Sequence, residues 1–183
     1  DEPYSIGAMV GPDAFTEVRY LAHDKQLQAL RLIPEISSVF NDVFGRPTGG
    51  LVHPYRTDGA ETVVVALGSV NGTIKEVIDD MRDDGAAIGS ISICSFRPFP
   101  LGALGEALGE AKRVVVIEKS LAVGLGGVVA SNVRMAMRDM SVPVYSVIAG
   151  LGGRPITMPV LRETFESAAE DHLPDIQFLD LDH

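Results

Sequence analysis

The sequence predicts a three-layer α/β/α domain, with a mostly parallel sheet of about five strands and a helical arm ahead of it. From residue 51 onward, short apolar runs rich in valine and isoleucine alternate with amphipathic segments. The connections between successive runs are long enough to hold crossover helices, which place neighbouring strands parallel. The first 50 residues instead show helical spacing of apolar residues. We therefore divide the chain into an arm, residues 1–50, and an α/β domain, residues 51–183.

The arm carries apolar residues at helical spacing over residues 13–44. Pro12 suits the first helical turn, and Gly45 is suited to end the helix. Pro34 lies within the pattern, where it should kink or split the helix. The apolar face is too long for a small sheet to cover, so we expect the arm to lie against a neighbouring domain or chain.

The α/β domain consists of repeated strand and helix units. Thr73 and Glu76 predict a capping box at the start of a helix over residues 73–85. Pro54 is tolerated only in an edge strand, so the short run 51–55 is placed at an edge of the sheet. The main predicted strands are 62–68, 87–96, 113–119 and 142–150, and the other predicted helices follow Pro100 and cover 126–139 and 158–170.

Composition and charge exclude several classes of function. The net charge of −10, without a cluster of lysine or arginine, argues against binding to nucleic acid. No apolar stretch approaches the roughly 18 residues that cross a bilayer, and residues 1–10 lack the pattern of a secretory signal. Cys94 is the only cysteine, which excludes an internal disulfide and a cluster held by several thiolates. We expect a cytoplasmic protein, no membrane contact, and a Cys94 buried within the run SISICSF.

Three loops meet at the carboxyl edge of the predicted sheet, where open α/β sheets bind ligands. They are residues 68–73, 118–127 and 149–157. The chain has no P-loop motif, and its GLGGVV segment has Val129 in place of the third glycine of GxGxxG. The loops allow either an anion site or tight turns and packing contacts. The candidate residues for an anion site or an interface are Ser69, Asn71, Gly72, Glu118, Gly126, Gly127, Gly152, Gly153 and Arg154.

The residue pattern identifies no catalytic residue and no metal site. His23, His53, His172 and His183 lack the spacing of paired metal ligands, and the chain has no GxSxG motif. Glu118 is unusual because it ends an otherwise apolar strand. We expect simple exposure of its carboxylate, with a partner or a capping arginine as the alternative.

Three segments, taken in order, resemble one known family. They are VVVALGSVNGTIKEVIDDMRDDGAAIGSISICSFRPFP, AKRVVVIEKSLAVGLGGVVASNVRMAM and VYSVIAGLGGRPIT. Together they are similar to domain II of the pyruvate:ferredoxin oxidoreductase α subunit, which is related to the carboxy-terminal domain of transketolases. The resemblance covers roughly residues 45–165. It implies a mixed five-stranded sheet whose short first strand runs antiparallel, and it gives AGLGGRPIT the role of a structural turn.

The resemblance also implies a function. Enzymes of this family use thiamine diphosphate, Mg²⁺, 4Fe–4S clusters and coenzyme A, and they exchange electrons with ferredoxin. The family places these cofactors in other domains or subunits, so this chain alone is expected to bind none and to be inactive. We expect a non-catalytic assembly domain of a 2-oxoacid:ferredoxin oxidoreductase that converts pyruvate to acetyl-CoA or runs the reverse synthesis. Its expected partners are thiamine-binding and ferredoxin-type domains or subunits in an oligomer, with Arg154 paired to a carboxylate across one contact.

Two alternative functions stay open. One is the carboxy-terminal domain of a transketolase-like enzyme or of a 2-oxoacid dehydrogenase β subunit, which shares the fold. The other is a stand-alone α/β module that binds a small molecule through the three loops. The sequence begins without methionine, which favours a piece cut from a longer chain over a natural short subunit.

Overall fold

The computed structural model describes residue 7 and residues 9–181 of the 183-residue chain. A long helix comes first, and strands then alternate with helices. The helices are α1 (Pro12–Phe44), α2 (Val70–Asp83), α3 (Leu101–Ala107), α4 (Val128–Ala136) and α5 (Met158–Ala169). The strands are β1 (Val52–Tyr55), β2 (Thr62–Ala66), β3 (Ile88–Ile93), β4 (Arg113–Glu118), β5 (Leu121–Ala122), β6 (Gly126–Gly127), β7 (Val144–Ile148) and β8 (Ile176–Phe178).

Six of these strands form one sheet in the order β1-β3-β2-β4-β7-β8. β1 runs antiparallel to β3, and the other five strands are parallel to one another. The predicted three-layer α/β/α fold is therefore confirmed, as is the antiparallel first strand. β1 also lies at an edge, as Pro54 predicted, where the missing N–H can face away from the ladder. β5 and β6 pair separately as a short hairpin.

The sheet has one strand more than the five expected. β8 pairs with β7 in parallel, with Ser146 opposite Ile176 and Ile148 opposite Phe178. The Ser146 N–H donates a hydrogen bond to the Asp175 carbonyl at 2.9 Å. β8 has three residues, and so short a segment carries no alternation that a sequence pattern detects.

The core consists of two apolar layers, one on each face of the sheet. All five residues of β2 are buried, as expected of a strand covered on both sides. One layer packs α2 and α5 on the sheet through side chains such as Ile78 and Phe165. The other layer packs α3 and α4 through side chains such as Leu104 and Val133. The central strands β2 and β4 are thus enclosed by helices on both faces.

The winding of the chain reverses between β2 and β4. From β2 the chain passes through α2 to β3 on one side, and it then returns through α3 to β4 on the other side of β2. Because α2 and α4 lie on opposite faces of the sheet, the loops that follow β2 and β4 separate at the carboxyl edge. A reversal of this kind opens a crevice, which is where α/β sheets bind their ligands.

Two predicted helix starts are wrong. α2 begins directly after Ser69, so Thr73 lies at the end of its first turn, and the predicted capping box of Thr73 with Glu76 is not formed. α4 begins after Gly127, because Gly126 and Gly127 pair with β5 in the hairpin. The loop after β2 is therefore shorter than predicted, and the loop after β4 contains the β5–β6 hairpin.

The prediction that Cys94 is buried is also wrong. β3 ends at Ile93, and the N–H of Cys94 donates to the Leu51 carbonyl at 3.0 Å, where the chain leaves the strand. The Cys94 side chain is exposed there. The apolar run SISICSF is therefore longer than the strand that it contains, and its last residues lie outside the core.

α1 is one continuous helix of 33 residues, so Pro34 does not split it. Gly45 ends the helix with φ 65°, and its N–H donates to the Asn41 carbonyl at 2.7 Å, as predicted. No residue of α1 is buried. Its large apolar side chains are between 43% and 67% exposed at Phe15, Val18, Tyr20, Leu21, Leu27, Leu32, Ile36, Val39, Val43 and Phe44. In the part of the chain that the structure describes, no helix combines the length and apolar character needed to span a membrane.

Candidate functional site

The crevice between β2 and β4 is a pocket of about 470 Å³ at the carboxyl edge of the sheet. The loops after β2 and β4 both contribute to its lining, and most of that lining is apolar. A pocket of this volume falls in the range of small-molecule binding sites. The lining residues are Leu67, Gly68, Ser69, Val70, Phe96, Ile117, Glu118, Lys119, Ser120, Val128, Val129 and Ile156.

Glu118 is the acidic residue of this lining, and its carboxylate is bound within the fold. Oε2 accepts hydrogen bonds from the Val129 N–H at 2.7 Å and from the Ser120 hydroxyl at 2.5 Å. Oε1 accepts one from the Ala130 N–H at 2.8 Å. The carboxylate therefore caps the N-terminus of α4, where free amides and the helix dipole stabilise a negative charge. The expected simple exposure is therefore wrong, because Glu118 is 5% exposed, and its partner is a helix start instead of the arginine of the alternative.

Gly127 leaves the space that the Glu118 carboxylate needs. A Cβ atom at position 127 would overlap Glu118 Oε1 and Ser146 Oγ. The φ angle of Gly127 is −66°, so glycine is required by space and not by backbone conformation. The contacts of this candidate residue are thus those of a packing position beside the α4 cap.

The loop after β7 forms a tight turn on the third side of the pocket. Gly150, Gly152 and Gly153 have φ angles of 74°, 65° and 85°, which are left-handed values that favour glycine. A Cβ atom at Gly150 would approach Lys119 Cε to 2.9 Å and Ile156 Cδ1 to 3.1 Å. The three loops therefore converge at one edge, as predicted, and the segment AGLGGRPIT makes a turn there.

The predicted candidate residues do not all share one site. Ser69 and Glu118 line the pocket. Arg154 lines a separate depression together with Gly152 and Phe178. The remaining candidates are Asn71 and Gly72 in the first turn of α2, Gly126 and Gly127 in β6, and Gly153 in the turn after β7.

Lys119 and Phe96 also line the pocket, and the residue patterns do not identify them. The Arg97 guanidinium carbon lies 4.1 Å from the centre of the Phe96 ring, so an exposed cation stacks on a side chain of the pocket wall. Neither Lys119 nor Arg97 forms an ion pair with any residue that the structure describes. Their positions in the sequence could have indicated this placement, because Lys119 directly follows β4 and Phe96 lies shortly after β3.

The donor groups of this chain do not fit the cofactors that the resemblance implies. Four ligands, usually thiolates, hold a 4Fe–4S cluster, and the chain has one cysteine. Among residues 7 and 9–181, no three side chains of histidine, cysteine, aspartate or glutamate are grouped to hold a metal ion. Both oxygens of the Glu118 carboxylate are bound by protein donors. The pocket therefore offers no ligand set for the magnesium-bound diphosphate of thiamine.

Comparison with known proteins places this architecture in a family. Residues 60–160, more than half of the chain, match the family described as pyruvate:ferredoxin oxidoreductase core domain II. The chain is 37% identical over 163 residues to the pyruvate synthase subunit PorA of Methanothermobacter thermautotrophicus, covering 89% of this chain and 42% of that protein. It is 36% identical over 188 residues to PorA of Methanosarcina barkeri, covering 99% of this chain and 47% of that protein.

Two further matches are a curated relative with a different name and a solved structure that shares the fold. The α subunit of NADH-dependent phenylglyoxylate dehydrogenase from Aromatoleum evansii is 35% identical over 159 residues, covering 85% of this chain and 38% of that protein. A solved 2-oxoglutarate:ferredoxin oxidoreductase from Magnetococcus marinus shares the fold, with a TM-score of 0.50 and 17% identity over 63% of this chain and 19% of that chain. The chain spans less than half the length of these curated relatives. From its sheet, its loop motifs and these matches, we conclude that the chain belongs to the pyruvate:ferredoxin oxidoreductase core domain II family.

Proposed function

We propose that this chain is the α/β part of the α subunit of a 2-oxoacid:ferredoxin oxidoreductase that acts on pyruvate, and that its role is assembly. The relatives named pyruvate synthase subunit PorA support this proposal. The whole enzyme would convert pyruvate and coenzyme A to acetyl-CoA, or run the reverse synthesis, with ferredoxin as electron carrier in the cytoplasm. Other domains and subunits would hold thiamine diphosphate, Mg²⁺ and the 4Fe–4S clusters.

The state of Glu118 is the observation that carries the non-catalytic role. It is the only buried carboxylate among the residues that the structure describes. Three donors of the fold already bind it, two of them amides at the start of α4. A general acid or base must exchange a proton with its substrate, and a carboxylate enclosed in this way is committed to the helix. The pocket thus has a structural carboxylate where a catalytic one would be sought.

α1 supplies a surface for assembly. Leu32, Ile36, Val39 and Val43 follow one another at spacings of four, three and four residues, and they are between 51% and 67% exposed. This spacing places them along one side of the helix, and we call these four residues the α1 stripe. A continuous exposed apolar surface of this kind is typical of a contact with another domain or subunit. In the assembled enzyme, a neighbouring domain or subunit would cover the stripe.

Charges placed in the α1 stripe of the full-length subunit test the assembly role. The subunit is expressed together with its partner subunits, and the complex is recovered through a tag on a partner. Ile36→Asp combined with Val39→Asp should lower the recovered complex at least about tenfold, because two carboxylates would be buried without partners. The matched control is Ser38→Asp with Asn41→Asp, which adds the same charge at exposed polar positions and should leave recovery unchanged. Equal recovery of both double variants would contradict the assembly role.

Turnover of the assembled complex tests the absence of catalytic groups in this chain. Ser69→Ala and Arg154→Gln should each leave kcat for pyruvate-dependent ferredoxin reduction within about twofold of the wild type, since neither is assigned to the reaction. The loss of a general acid or base would instead cost about 10²- to 10⁴-fold. A loss of that size in a fully assembled complex would show that this chain contributes a catalytic group.

The phenylglyoxylate dehydrogenase relative favours a second candidate, in which the 2-oxoacid is aromatic. The PorA relatives instead favour pyruvate. The assembled enzyme should therefore show a higher kcat/KM for pyruvate than for phenylglyoxylate. The opposite order would replace pyruvate as the substrate and would leave the assembly role untouched.

A further inference from the structure

The pocket between β2 and β4 has no task in the proposed function, although it has the features of a ligand site. It lies at the reversal of strand order, has a volume of about 470 Å³, and is lined by loops on both sides. We infer that it binds a small organic anion with an apolar body, such as a short-chain or aromatic carboxylate. The inference does not depend on the proposed function, because it requires neither turnover nor a partner subunit.

The wall of the pocket accounts for the apolar body of the ligand. Leu67 and Val70 come from the β2 side, Val129 from the start of α4, Phe96 from the segment after β3, and Ile156 from the loop after β7. Four separate segments of the chain thus present apolar side chains to one space. Apolar surface held apart in this way is stabilised when a hydrocarbon body displaces the water against it.

The charged groups around the pocket account for the negative charge of the ligand. Lys119 lines the pocket, and the Arg97 guanidinium stacks on the Phe96 ring that forms part of the wall. Neither cation has an ion-pair partner among the described residues. Glu118 also lines the pocket, and Ser120 and the α4 amides bind both oxygens of its carboxylate. Lys119 is thus a cation of the pocket lining that no ion pair among the described residues neutralises.

The stem of the exposed Lys119 side chain lies beside the apolar wall of the pocket. Gly150 has no side chain, and this leaves room for the Lys119 stem, since a Cβ atom there would come within 2.9 Å of Lys119 Cε. Ile156 lies next to the same glycine, at 3.1 Å from that Cβ position, and also lines the pocket. The cation and the apolar wall are thus adjacent, as an anion with a hydrocarbon body requires.

Titration with hexanoate of the ¹⁵N-labelled 183-residue chain carrying Ile36→Asp and Val39→Asp, which we expect to be monomeric, followed by amide NMR, tests the site. Hexanoate should cause saturable shifts of the Ser69, Ser120 and Val129 amide signals. The amide signals of α1 should show no saturable shift. Hexanamide has the same apolar body without the charge, and it should bind at least about fivefold more weakly, as expected for the loss of one ionic contact. Phenylacetate tests whether an aromatic body fits the same place.

Two variants assign the binding to the pocket. Lys119→Met keeps the apolar stem and should weaken hexanoate at least about threefold while leaving hexanamide unchanged. Lys112→Met is the matched control, because Lys112 lies before β4 at the opposite edge of the sheet and pairs with Glu61. It should bind hexanoate like the wild type. Ser69→Phe should fill part of the pocket and abolish the shifts caused by hexanoate and by hexanamide. Its amide spectrum should be unchanged away from the pocket, which would show that the fold is intact.

Several results would overturn the inference. They are the absence of saturable shifts at the pocket residues, shifts confined to α1, equal binding of hexanoate and hexanamide, and an unchanged hexanoate affinity in Lys119→Met. Because the measurement uses the chain itself, none of these results bears on assembly or on pyruvate turnover.

Discussion

Glu118 is a buried carboxylate that accepts three hydrogen bonds, two of which join the end of β4 to the start of α4. Glu118→Ala should lower the free energy of unfolding by about 2–4 kcal/mol, because it removes the cap and leaves two buried amides without an acceptor. Glu118→Gln keeps one acceptor oxygen and should cost less, about 1–2 kcal/mol. Urea unfolding of each variant measures these differences.

The matched control for Glu118 is Glu110→Gln, because Glu110 is an exposed carboxylate after α3. It should change the free energy of unfolding by no more than about 0.5 kcal/mol. A cost of similar size at positions 110 and 118 would show that the α4 cap does not stabilise the fold.

Gly127 and Gly72 provide a second comparison between residues. Gly127→Ala should cost about 1–3 kcal/mol, because the added methyl would overlap the Glu118 carboxylate and Ser146 Oγ. A Cβ atom at Gly72, within α2, meets no atom within 4 Å. Gly72→Ala should therefore stabilise the chain by about 0.5–1 kcal/mol, because alanine has a higher helix propensity than glycine. Thermal unfolding with both variants in parallel checks the pair, and a shift of the same sign in both would contradict the assignment.

The sequence identifies the unusual residue Glu118 but not its partner. A carboxylate at the end of an apolar strand is visible in one dimension. Besides the nearby Ser120 hydroxyl, its hydrogen-bond partners are backbone amides eleven and twelve residues further along the chain. Every residue except proline has a backbone amide, so a sequence motif cannot identify these two partners. Only the fold shows that α4 starts beside the carboxylate.

Among the elements, the end of α5 is joined to the sheet by Asp171. Its carboxylate accepts hydrogen bonds from Arg113 at 3.0 and 3.2 Å and from the Tyr145 hydroxyl at 3.1 Å. Arg113 begins β4 and Tyr145 lies in β7, so one side chain connects a helix end with two strands. These donors, Arg113 first, hold the pKa of Asp171 below its ordinary value of 3.8.

This pKa shift predicts the pH dependence of stability. A carboxyl whose pKa is lowered by folding stabilises the fold above its unfolded pKa, and this contribution is lost as the pH falls through the folded pKa. The wild type should therefore be more stable than Asp171→Asn at pH 7, and the difference should shrink from about pH 4 downward. Urea unfolding at pH 7, 4, 3 and 2 measures it. The control Asp139→Asn alters an exposed pair with Arg138 and should follow the wild type. A difference that persists unchanged at pH 2 would refute the role of Asp171.

The long elements could be predicted from the sequence, and the short ones could not. The buried strands and the helices α1 and α5 lie close to their expected positions, because each carries enough apolar periodicity to be recognised. β8 has three residues and β5 and β6 have two each, which is too short for a recognisable pattern. β8 depends on pairing with the distant strand β7, and β5 pairs with the two glycines of β6. The predicted start of α2 is wrong because Thr73 and Glu76 have the spacing of a capping box without occupying the cap position.

For the whole molecule, the α1 stripe predicts how the separate chain behaves. Its exposed leucine, isoleucine and valine side chains should associate when no neighbouring domain covers them. At micromolar concentration, the wild type should sediment faster than a 19.5 kDa monomer, and Ile36→Asp with Val39→Asp should sediment as a monomer. The control Ser38→Asp with Asn41→Asp should behave like the wild type. A monomeric wild type by sedimentation velocity would contradict this prediction.

The order of the strands lies beyond the reach of residue patterns. Alternation of strands and helices predicts a parallel sheet, but β2 could neighbour any two of the others on that basis. Only the family resemblance predicts the antiparallel first strand. The pocket follows from the reversal between β2 and β4, and so its apolar lining, drawn from separate segments, could not be assembled before the order was known.

The two edge strands of the sheet have a consequence for aggregation. β1 has four residues and contains Pro54, and β8 has three residues. Neither edge therefore offers a long row of free N–H and C=O groups that could pair with a strand of another molecule. Fibrous growth through added strands would first require the loss of native structure. In its folded state the chain is protected against strand addition at its sheet, and contact between molecules is left to helix surfaces.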